Sequence, residues 1–177
     1  MRPPVLVVVT GMPAAGKTTL ADVLSRRLRL PLIVRDRIKE RLYETLGTGD
    51  VQWSGELGGA AFALLFDFAS LLLAAGQSVI VEANFFRGSA ESRFSVLPEH
   101  RVVQIHCAAP LDILIARYTN RPRHEGHHDA EKVKLLPARL ERGVHDALDL
   151  PGDLFRVETS RTVDLDEIVA AIRDRRV

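Results

Sequence analysis

The sequence VLVVVTGMPAAGKTT, residues 5–19, decides the fold class. Its first five residues are an unbroken run of valine and leucine, which is typical of a strand buried on both faces. The remainder fits the pattern G-x-x-x-x-G-K-[ST], with Gly11, Gly16, Lys17 and Thr18 at the fixed positions. A chain of this length matches the pattern by chance only about once in a hundred cases. A buried strand that leads through this loop into a helix indicates an α/β protein.

The loop has the chemistry of a phosphate-binding site. Glycines let the backbone fold tightly around phosphate oxygens, and the amides at a helix N-terminus point towards the anion. Lys17 would reach the β- and γ-phosphates of a nucleotide, and the Thr18 hydroxyl would bind Mg²⁺. The alternative is an ordinary glycine-rich turn with an exposed lysine. The nucleotide-binding residues that we predict are Gly11, Met12, Pro13, Ala14, Ala15, Gly16, Lys17, Thr18 and Thr19.

Composition limits the remaining possibilities. A chain of 177 residues has the usual size of one domain, so we expect a single domain over residues 1–177. Lys and Arg number 24 and Asp and Glu number 23, and the resulting net charge of +1 gives no general attraction to nucleic acid or membrane. The single cysteine, Cys107, excludes an internal disulfide and suits a cytoplasmic protein.

Hydrophobic patterning predicts an alternation of strands and helices, which favours a parallel sheet covered on both faces. The apolar stretch Leu57–Ala75 contains Asp67, whose charge would be costly in a bilayer, so we expect a buried helix of a soluble core. Strands are predicted at Val5–Val9, Leu32–Val34, Val79–Val81, Val102–His106 and Leu154–Val157. Helices are predicted at Thr18–Leu30, Asp36–Leu46, Leu57–Ala75, Leu111–Thr119, Lys132–Leu148 and Leu165–Arg175, with a polar loop through Trp53.

The loop at residues 11–19 and the elements around it resemble the P-loop kinases. The resemblance covers most of the chain and is strongest to the small single-domain group of chloramphenicol phosphotransferase, zeta toxins and the kinase part of polynucleotide kinase. It implies a P-loop NTPase fold, a three-layer α/β/α sandwich whose five parallel strands lie in the order 2-3-1-4-5. It also implies ATP and Mg²⁺ as cofactors and a hydroxyl group as the phosphate acceptor.

The stretch VRDRIKERL, residues 34–42, carries the first acceptor-side candidates. In the resembling kinases a strand here ends at an aspartate that approaches the acceptor hydroxyl, and a basic residue follows on a helix. Asp36 and Lys39 match these positions, so Asp36 would accept or orient the hydroxyl proton and Lys39 would bind substrate. The alternative for Asp36 is a helix N-cap, a role compatible with the first.

The stretch SVIVEANFF, residues 78–86, places Glu82 at the end of a buried strand. This resembles a Walker B element, whose acid holds Mg²⁺ directly or through water. The usual residue is aspartate, so Glu82 is a candidate both for the metal, together with Thr18, and for substrate binding. Asn84 follows as a candidate substrate or nucleotide contact, with a simple turn residue as the alternative.

The stretch CAAPLDILIARYTNRPRHEGHHD, residues 107–129, resembles the lid segment of these kinases, which we expect at about residues 117–130. Arg117, Arg121 and Arg123 could neutralise charge on the transferred phosphoryl group, with a solvated charged loop as the alternative. The histidines and carboxylates of the segment raise the question of zinc. A loop without cysteine makes a metal site the less favoured interpretation.

Three functions remain open at this stage. The first is an ATP-dependent kinase for a small-molecule hydroxyl, and the second is a nucleotide-binding switch or ATPase without an acceptor. The chain lacks the N-K-x-D motif of GTPases, which favours the kinase. The third is a polynucleotide or tRNA 5′-hydroxyl kinase, which would need a basic channel with stacking aromatic residues. A near-neutral charge and an aromatic content of 6% offer little for such a channel.

Overall fold

Five strands form one sheet in the computed structural model, which describes residues 3–120, 124, 127 and 133–176. The strands are β1 (Val5–Gly11), β2 (Leu32–Val34), β3 (Val79–Glu82), β4 (Arg101–Ala108) and β5 (Asp153–Glu158). Their order across the sheet is β2-β3-β1-β4-β5, and all four pairings are parallel. The predicted α/β class and strand order are therefore confirmed. Parallel pairing also brings the carboxyl ends of all the strands to one edge of the sheet.

The central strand β1 is buried along its whole length, as its run of valines predicted. Its side chains alternate between two hydrophobic cores, because successive residues of a strand point to opposite faces. Val5, Val7 and Val9 pack into one core, and Leu6 and Val8 pack into the other. The two cores on opposite faces of the sheet confirm the predicted three-layer sandwich.

Helices supply both outer layers of the sandwich. The core on one face receives side chains from α1, α5, α6 and α7, and the core on the other face receives them from α3 and α4. The helices are α1 (Lys17–Leu28), α2 (Arg35–Leu46), α3 (Val51–Ala74), α4 (Glu91–Phe94), α5 (Leu111–Asn120), α6 (Leu136–Glu141) and α7 (Asp166–Arg176).

The helix α3 begins at Val51, six residues before the predicted start. Its N-cap is Asp50, whose carboxylate accepts a hydrogen bond from the backbone amide of Trp53 at 2.8 Å. A side-chain oxygen in this position satisfies one of the free amides of the first turn and fixes the start of the helix. The prediction that Trp53 belongs to a loop is therefore wrong, since it lies in the first turn of α3.

The same helix has two different faces. By length and composition α3 could cross a membrane, with a mean hydropathy of 2.0 in its most apolar window. One face packs on the sheet through residues such as Leu65 and Ala69, whereas Phe68 and Leu71 on the other face are exposed. Buried residues make up 39% of the apolar window. The prediction of a helix buried in the core therefore fits one face of α3 and not the other.

The predicted helix Lys132–Leu148 is much shorter in the structure. After a 3₁₀ turn at Val133–Leu135, α6 ends at Glu141. Gly143 follows with a φ of +59°, a left-handed conformation that breaks the helical path. The chain then turns to bring His145 into the interior, where it is 1% exposed. The short helix α4 was not predicted, and Lys132 lies outside the described residues.

Candidate functional site

The loop between β1 and α1 has the backbone that the glycine pattern predicts. Gly11 has a φ of +133°, and a Cβ atom there would lie 2.1 Å from the carbonyl oxygen of Cys107. Gly16 has a φ of +73° and directly precedes α1. No side chain of the described residues caps α1, and its first turn has no acidic residue. The amides at this helix N-terminus therefore remain available to an anion.

Lys17 lies at the base of this loop and is only 4% exposed. Its Nζ atom donates a hydrogen bond to the carbonyl oxygen of Met12 at 2.7 Å. This bond connects the two ends of the loop, and Lys17 lines a cavity beside it. The alternative interpretation of an exposed lysine in an ordinary turn does not fit this geometry.

Glu82 ends β3 beside two other strand ends, paired in register with Val9 of β1 and Val34 of β2. It is 5% exposed, and its Oε2 atom accepts a hydrogen bond from the Thr18 hydroxyl at 2.9 Å. Burial raises the pKa of Glu82, and the neighbouring Lys17 cation opposes that shift. A carboxylate and a hydroxyl so close together are hard oxygen donors of the kind that Mg²⁺ prefers. Thr18 and Glu82 therefore fit a magnesium ion.

Asp36 lies in the first turn of α2, close to the end of β2. The helix begins one residue earlier, with Val34 in the N-cap position and no side-chain cap from the described residues. Asp36 is therefore not the N-cap, which corrects the alternative interpretation. Its Oδ1 atom accepts a hydrogen bond from the Nη1 atom of Arg35 at 2.9 Å. The nearby carboxylate also contributes to the raised pKa of Glu82.

A cavity of about 390 Å³ brings most of the predicted site residues together at the carboxyl edge of the sheet. The P-loop, the first turn of α2, the end of β3 and the end of α5 all contribute to its walls. The residues that line it are Ala14, Gly16, Lys17, Thr18, Thr19, Asp36, Glu82, Asn84, Arg117 and Asn120. Predicted residues from four separate elements thus surround the same space.

Arg117 is held beside the P-loop by Thr159, which follows β5. The Arg117 guanidinium donates to the Thr159 hydroxyl at 3.0 Å and to its carbonyl oxygen at 2.7 Å. The same hydroxyl lies 2.9 Å from the carbonyl oxygen of Ala15, to which it donates. Sequence reasoning missed Thr159, although a residue directly after a strand of a parallel sheet belongs to the edge where ligands bind. Arg121 and Arg123 lie outside the described residues.

A second cavity, of about 470 Å³, extends from the P-loop along α1. Its walls are mainly aliphatic and carry two guanidinium groups, a combination suited to a planar aromatic ring. The residues that line it are Gly16, Thr19, Leu20, Val23, Arg117, Thr159, Arg161, Val163 and Leu165. The segment that follows β5 was not predicted to take part in the site.

A third cavity, of about 270 Å³, lies between α2 and α3 and shares Asp36 and Asn84 with the cavity at the P-loop. The predicted residue Lys39 lines it, with its Nζ atom donating to the Ser54 hydroxyl at 2.8 Å. The residues that line the cavity are Pro13, Arg35, Asp36, Lys39, Val51, Ser54, Gly55, Phe62, Asn84, Phe86, Tyr118, His127, Arg139 and His145. Arg35, Arg139 and His145 among them were not predicted.

Two further features are the pair of histidines beside α2, of which His127 also lines the third cavity, and a cavity at the other edge of the sheet. His127 lies 3.0 Å from a carboxylate oxygen of Glu40, and His124 stacks on Tyr43, but the part of the chain that the structure describes contains no group of three metal ligands. A larger cavity of about 660 Å³ lies beside the starts of β4 and β5. It is lined by no P-loop residue and is at the opposite edge of the sheet, so we place the candidate site at the smaller cavities.

The fold and this geometry define a P-loop nucleotide-binding protein with a kinase-like fold. A family model for an AAA domain matches residues 6–142, and the chain belongs to that family.

Solved structures agree with this assignment. A candidate kinase from Chloroflexus aurantiacus is 34% identical to this chain with a TM-score of 0.86, and the match covers 98% of this chain and 99% of that one. A sugar kinase from a Janibacter species is 19% identical with a TM-score of 0.60, over 97% and 92% of the two chains. A chain of the Pnkp1/Rnl/Hen1 RNA repair complex is 16% identical with a TM-score of 0.54, over 80% and 47%. The last two likenesses concern the fold alone. No curated protein matches the sequence.

Proposed function

We propose that the protein is an ATP-dependent phosphotransferase that moves the γ-phosphate of ATP to a hydroxyl group of a small molecule. The junction of two cavities carries this proposal, because Asp36 and Asn84 line both the cavity at the P-loop and the cavity between α2 and α3. A nucleotide at the P-loop would present its terminal phosphate to a compound in the second cavity. The kinase-like fold supports the same chemistry.

The nucleotide would occupy the two cavities that meet at Gly16. The amides at the start of α1 and the Lys17 ammonium would bind the phosphates. Arg117 lines both cavities and would also contact the phosphates, from the side opposite Lys17 and the start of α1. The base would occupy the aliphatic cavity along α1, and the choice of adenine rests on the resemblance to the P-loop kinases.

The metal site would be formed by Thr18 and Glu82. A bound Mg²⁺ supplies positive charge that stabilises the phosphate oxygens during transfer. The buried Glu82 carboxylate gains stabilisation from a cation beside it, in addition to that from Lys17.

Transfer would take place where Asp36 separates the two ligands. The acceptor oxygen forms a bond to the γ-phosphorus, and the bond between that phosphorus and the bridging oxygen of ADP breaks. The Asp36 carboxylate accepts the proton that the hydroxyl group loses. Lys39, Glu82 and Asn84 would hold the acceptor and the terminal phosphate in position.

The size of the acceptor cavity supports a small molecule over a polynucleotide. Its volume of about 270 Å³ lies near the lower end of the range for small-molecule pockets. We further propose that residues 1–177 form one domain of a cytoplasmic enzyme, with a lid at about residues 117–130. Arg121 and Arg123 of that lid would reach the transferred phosphoryl group.

The test follows the γ-phosphate. The protein is incubated with Mg²⁺, γ-labelled ATP and fractions of a small-metabolite extract, and the labelled products are separated. We expect label in an organic phosphate ester that forms with at least one fraction. Label that appears only as inorganic phosphate with every fraction would identify an ATPase and contradict the proposal.

A further inference from the structure

The cavity between α2 and α3 contains buried polar atoms that lack partners. The Nε atom of Arg35, the Oδ1 atom of Asn84 and the Nε2 atom of His145 are buried without a hydrogen-bond partner among the described residues. All three residues line this cavity. Buried polar atoms are normally satisfied, and leaving one unsatisfied is costly, so such a concentration marks positions where a ligand would supply the missing bonds.

The cavity also carries an excess of positive charge. Arg35, Lys39 and Arg139 line it, against the single carboxylate of Asp36. The half-buried guanidinium of Arg139 has no hydrogen bond or ion pair with any other described residue. Because the whole chain has a net charge of only +1, this local excess is not a general property of the protein. A concave site with unbalanced guanidinium groups is suited to an oxyanion.

Arg35 is positioned by an unusual feature of α3. A Cβ atom on Gly58 would lie 2.5 Å from the Nη2 atom of Arg35, so glycine leaves the space that the guanidinium occupies. The guanidinium carbon also lies 4.8 Å from the centre of the Phe62 ring, within the range of a cation–π contact. Its bond to Asp36 uses Nη1 and leaves Nε unsatisfied. The helix thus holds a cation at the wall of the cavity.

His145, which lines the same cavity, has a ring nitrogen that acts as a hydrogen-bond acceptor. Its Nδ1 atom lies 3.1 Å from the carbonyl oxygen of Phe85, which can only accept, so Nδ1 carries the proton. Burial lowers the pKa of His145 to about 4, which keeps the ring neutral near pH 7. The remaining ring nitrogen, Nε2, is therefore a hydrogen-bond acceptor, and its natural complement is a hydroxyl group.

We propose that this cavity takes a hydroxylated acceptor that also carries an oxyanion, either a carboxylate or a phosphate monoester. Arg139 and Arg35 bind the oxyanion, and His145 Nε2 accepts a hydrogen bond from a hydroxyl group that is not phosphorylated. This assignment rests on the proposed phosphotransferase function and specifies its substrate class.

The test compares matched acceptors. Each set contains a neutral polyol, the aldonic acid with the same carbon skeleton and the corresponding phosphate monoester, and kcat/KM is measured by ADP formation. We expect one anionic member to exceed the neutral member at least tenfold, and the preferred anion distinguishes carboxylate from phosphate. A neutral polyol that is used equally well or better would overturn the assigned class while leaving the phosphotransferase function intact.

Arg139→Gln tests the oxyanion contact. It should lower kcat/KM for the anionic acceptor by about 10- to 100-fold, the usual loss for a charge-assisted bond, and leave the neutral polyol nearly unchanged. The exposed Arg142, just after α6, provides the matched control Arg142→Gln, which should change neither value. An equal loss with both acceptors in Arg139→Gln, or no loss with either, would contradict the assignment.

His145→Asn tests the hydroxyl contact, because an asparagine amide can replace the Nδ1 donor but not Nε2. The wild type should discriminate against one deoxy analogue of the acceptor, and the variant should lose that discrimination. A purely structural role would lower activity with all analogues by the same factor.

If no member of the panel is phosphorylated, a direct measurement of acceptor binding tests the inference. Calorimetry with a non-hydrolysable ATP analogue present should then show binding of an anionic member that Arg139→Gln weakens. Absence of such binding overturns the inference. Failure of the proposed function is a separate result, in which labelled phosphate from ATP enters no organic ester with any metabolite fraction.

Discussion

The nucleotide side of the candidate site comes largely from one unbroken stretch, residues 11–19, whereas the acceptor side is assembled from segments far apart in the chain. The P-loop holds its shape through local bonds such as that from Lys17 to the Met12 carbonyl oxygen. The acceptor cavity joins α2 and α3 to the end of β3 and to the turn that carries His145. A contiguous motif fixes its own geometry, while the second cavity depends on the packing of the whole fold.

This difference implies that specificity for the nucleotide and specificity for the acceptor have separate structural origins. The loop would bind phosphate groups through backbone amides and Lys17, and any nucleoside triphosphate can make these contacts. The proposed acceptor cavity would recognise a particular compound through side chains that tertiary contacts place there. Substitutions on the two sides should therefore have separable effects on nucleotide and acceptor.

The largest effect is expected on the nucleotide side, for Lys17→Met. The variant keeps the apolar stem of this buried residue but loses the charge and the bond to the Met12 carbonyl oxygen. ATP turnover should fall by at least about 10³-fold, the lower bound for loss of a cation that stabilises the transferred phosphoryl group. Steady-state turnover checks this together with a circular dichroism spectrum. A correctly folded variant with wild-type turnover would remove the P-loop assignment.

A smaller effect on the same side is expected for Thr159→Val. The isosteric valine removes the hydroxyl that connects Arg117 to the Ala15 carbonyl oxygen. The KM for ATP should rise about fivefold, since a hydrogen bond of this kind contributes about 1 kcal/mol. The exposed Thr162 offers the control Thr162→Val, which should leave KM unchanged. Equal values for the two variants would show that Thr159 does not position Arg117.

On the acceptor side, Gly58→Ala should displace Arg35 without unfolding the protein. The new Cβ atom would collide with the flexible end of the Arg35 side chain and would lie at an ordinary contact distance of 3.7 Å from the Lys39 Nζ atom. Alanine also favours the helix by up to about 1 kcal/mol. We expect the KM for the acceptor to rise about three- to tenfold with the KM for ATP unchanged. Gly59→Ala is the matched control, because its Cβ atom would meet nothing within 4 Å. A similar acceptor KM in both variants would argue against the placement of Arg35.

At neutral pH the smallest effect is expected from the ionisation of His145, which makes the stability of the protein depend on pH only under acidic conditions. Its pKa is about 4 in the folded protein and about 6.5 when unfolded, so below pH 6.5 the unfolded chain binds the proton first. The stability contributed by the neutral ring is complete above pH 6.5 and is lost as the pH falls towards 4, by up to about 1.4 kcal/mol per pH unit. The free energy of unfolding is measured with urea at several pH values for the wild type and for His145→Asn. Between pH 6.5 and pH 4 it should fall less steeply with decreasing pH in the variant. Parallel slopes would contradict the buried neutral ring.

The sequence was most informative where function depends on contiguous residues or on strand ends. The backbone of the P-loop could be predicted because its glycine spacing reflects a local requirement, seen in the close approach of Gly11 to Cys107. Nucleotide binding by residues 11–19 stays a prediction. Glu82 and Asp36 could be found because they follow predicted strands of a parallel sheet. Both residues line the cavity at the loop, whereas their chemical roles stay predictions.

Three of the residues that were missed, namely His145, Thr159 and Arg161, lie in irregular segments, whereas Arg139 lies in the short helix α6. Arg139 and His145 fall in a region where a long helix was predicted, but α6 ends early and Gly143 turns the chain inwards. Thr159 and Arg161 follow β5 and carry no motif that marks them as ligand contacts. Their positions depend on long-range packing, such as the bond between Thr159 and Arg117, which periodicity along the chain does not reveal.

The most direct test of the account is Asp36→Asn, because Asp36 lies where the two cavities meet. The helix does not use Asp36 as its N-cap, and asparagine keeps the side-chain size, so fold and nucleotide affinity should persist. With a cognate acceptor identified by the labelled-ATP experiment, transfer should fall by about 10²- to 10⁴-fold through loss of the proton acceptor. Full transfer activity in a folded Asp36→Asn variant would contradict the claim that phosphate passes between the two cavities at this carboxylate.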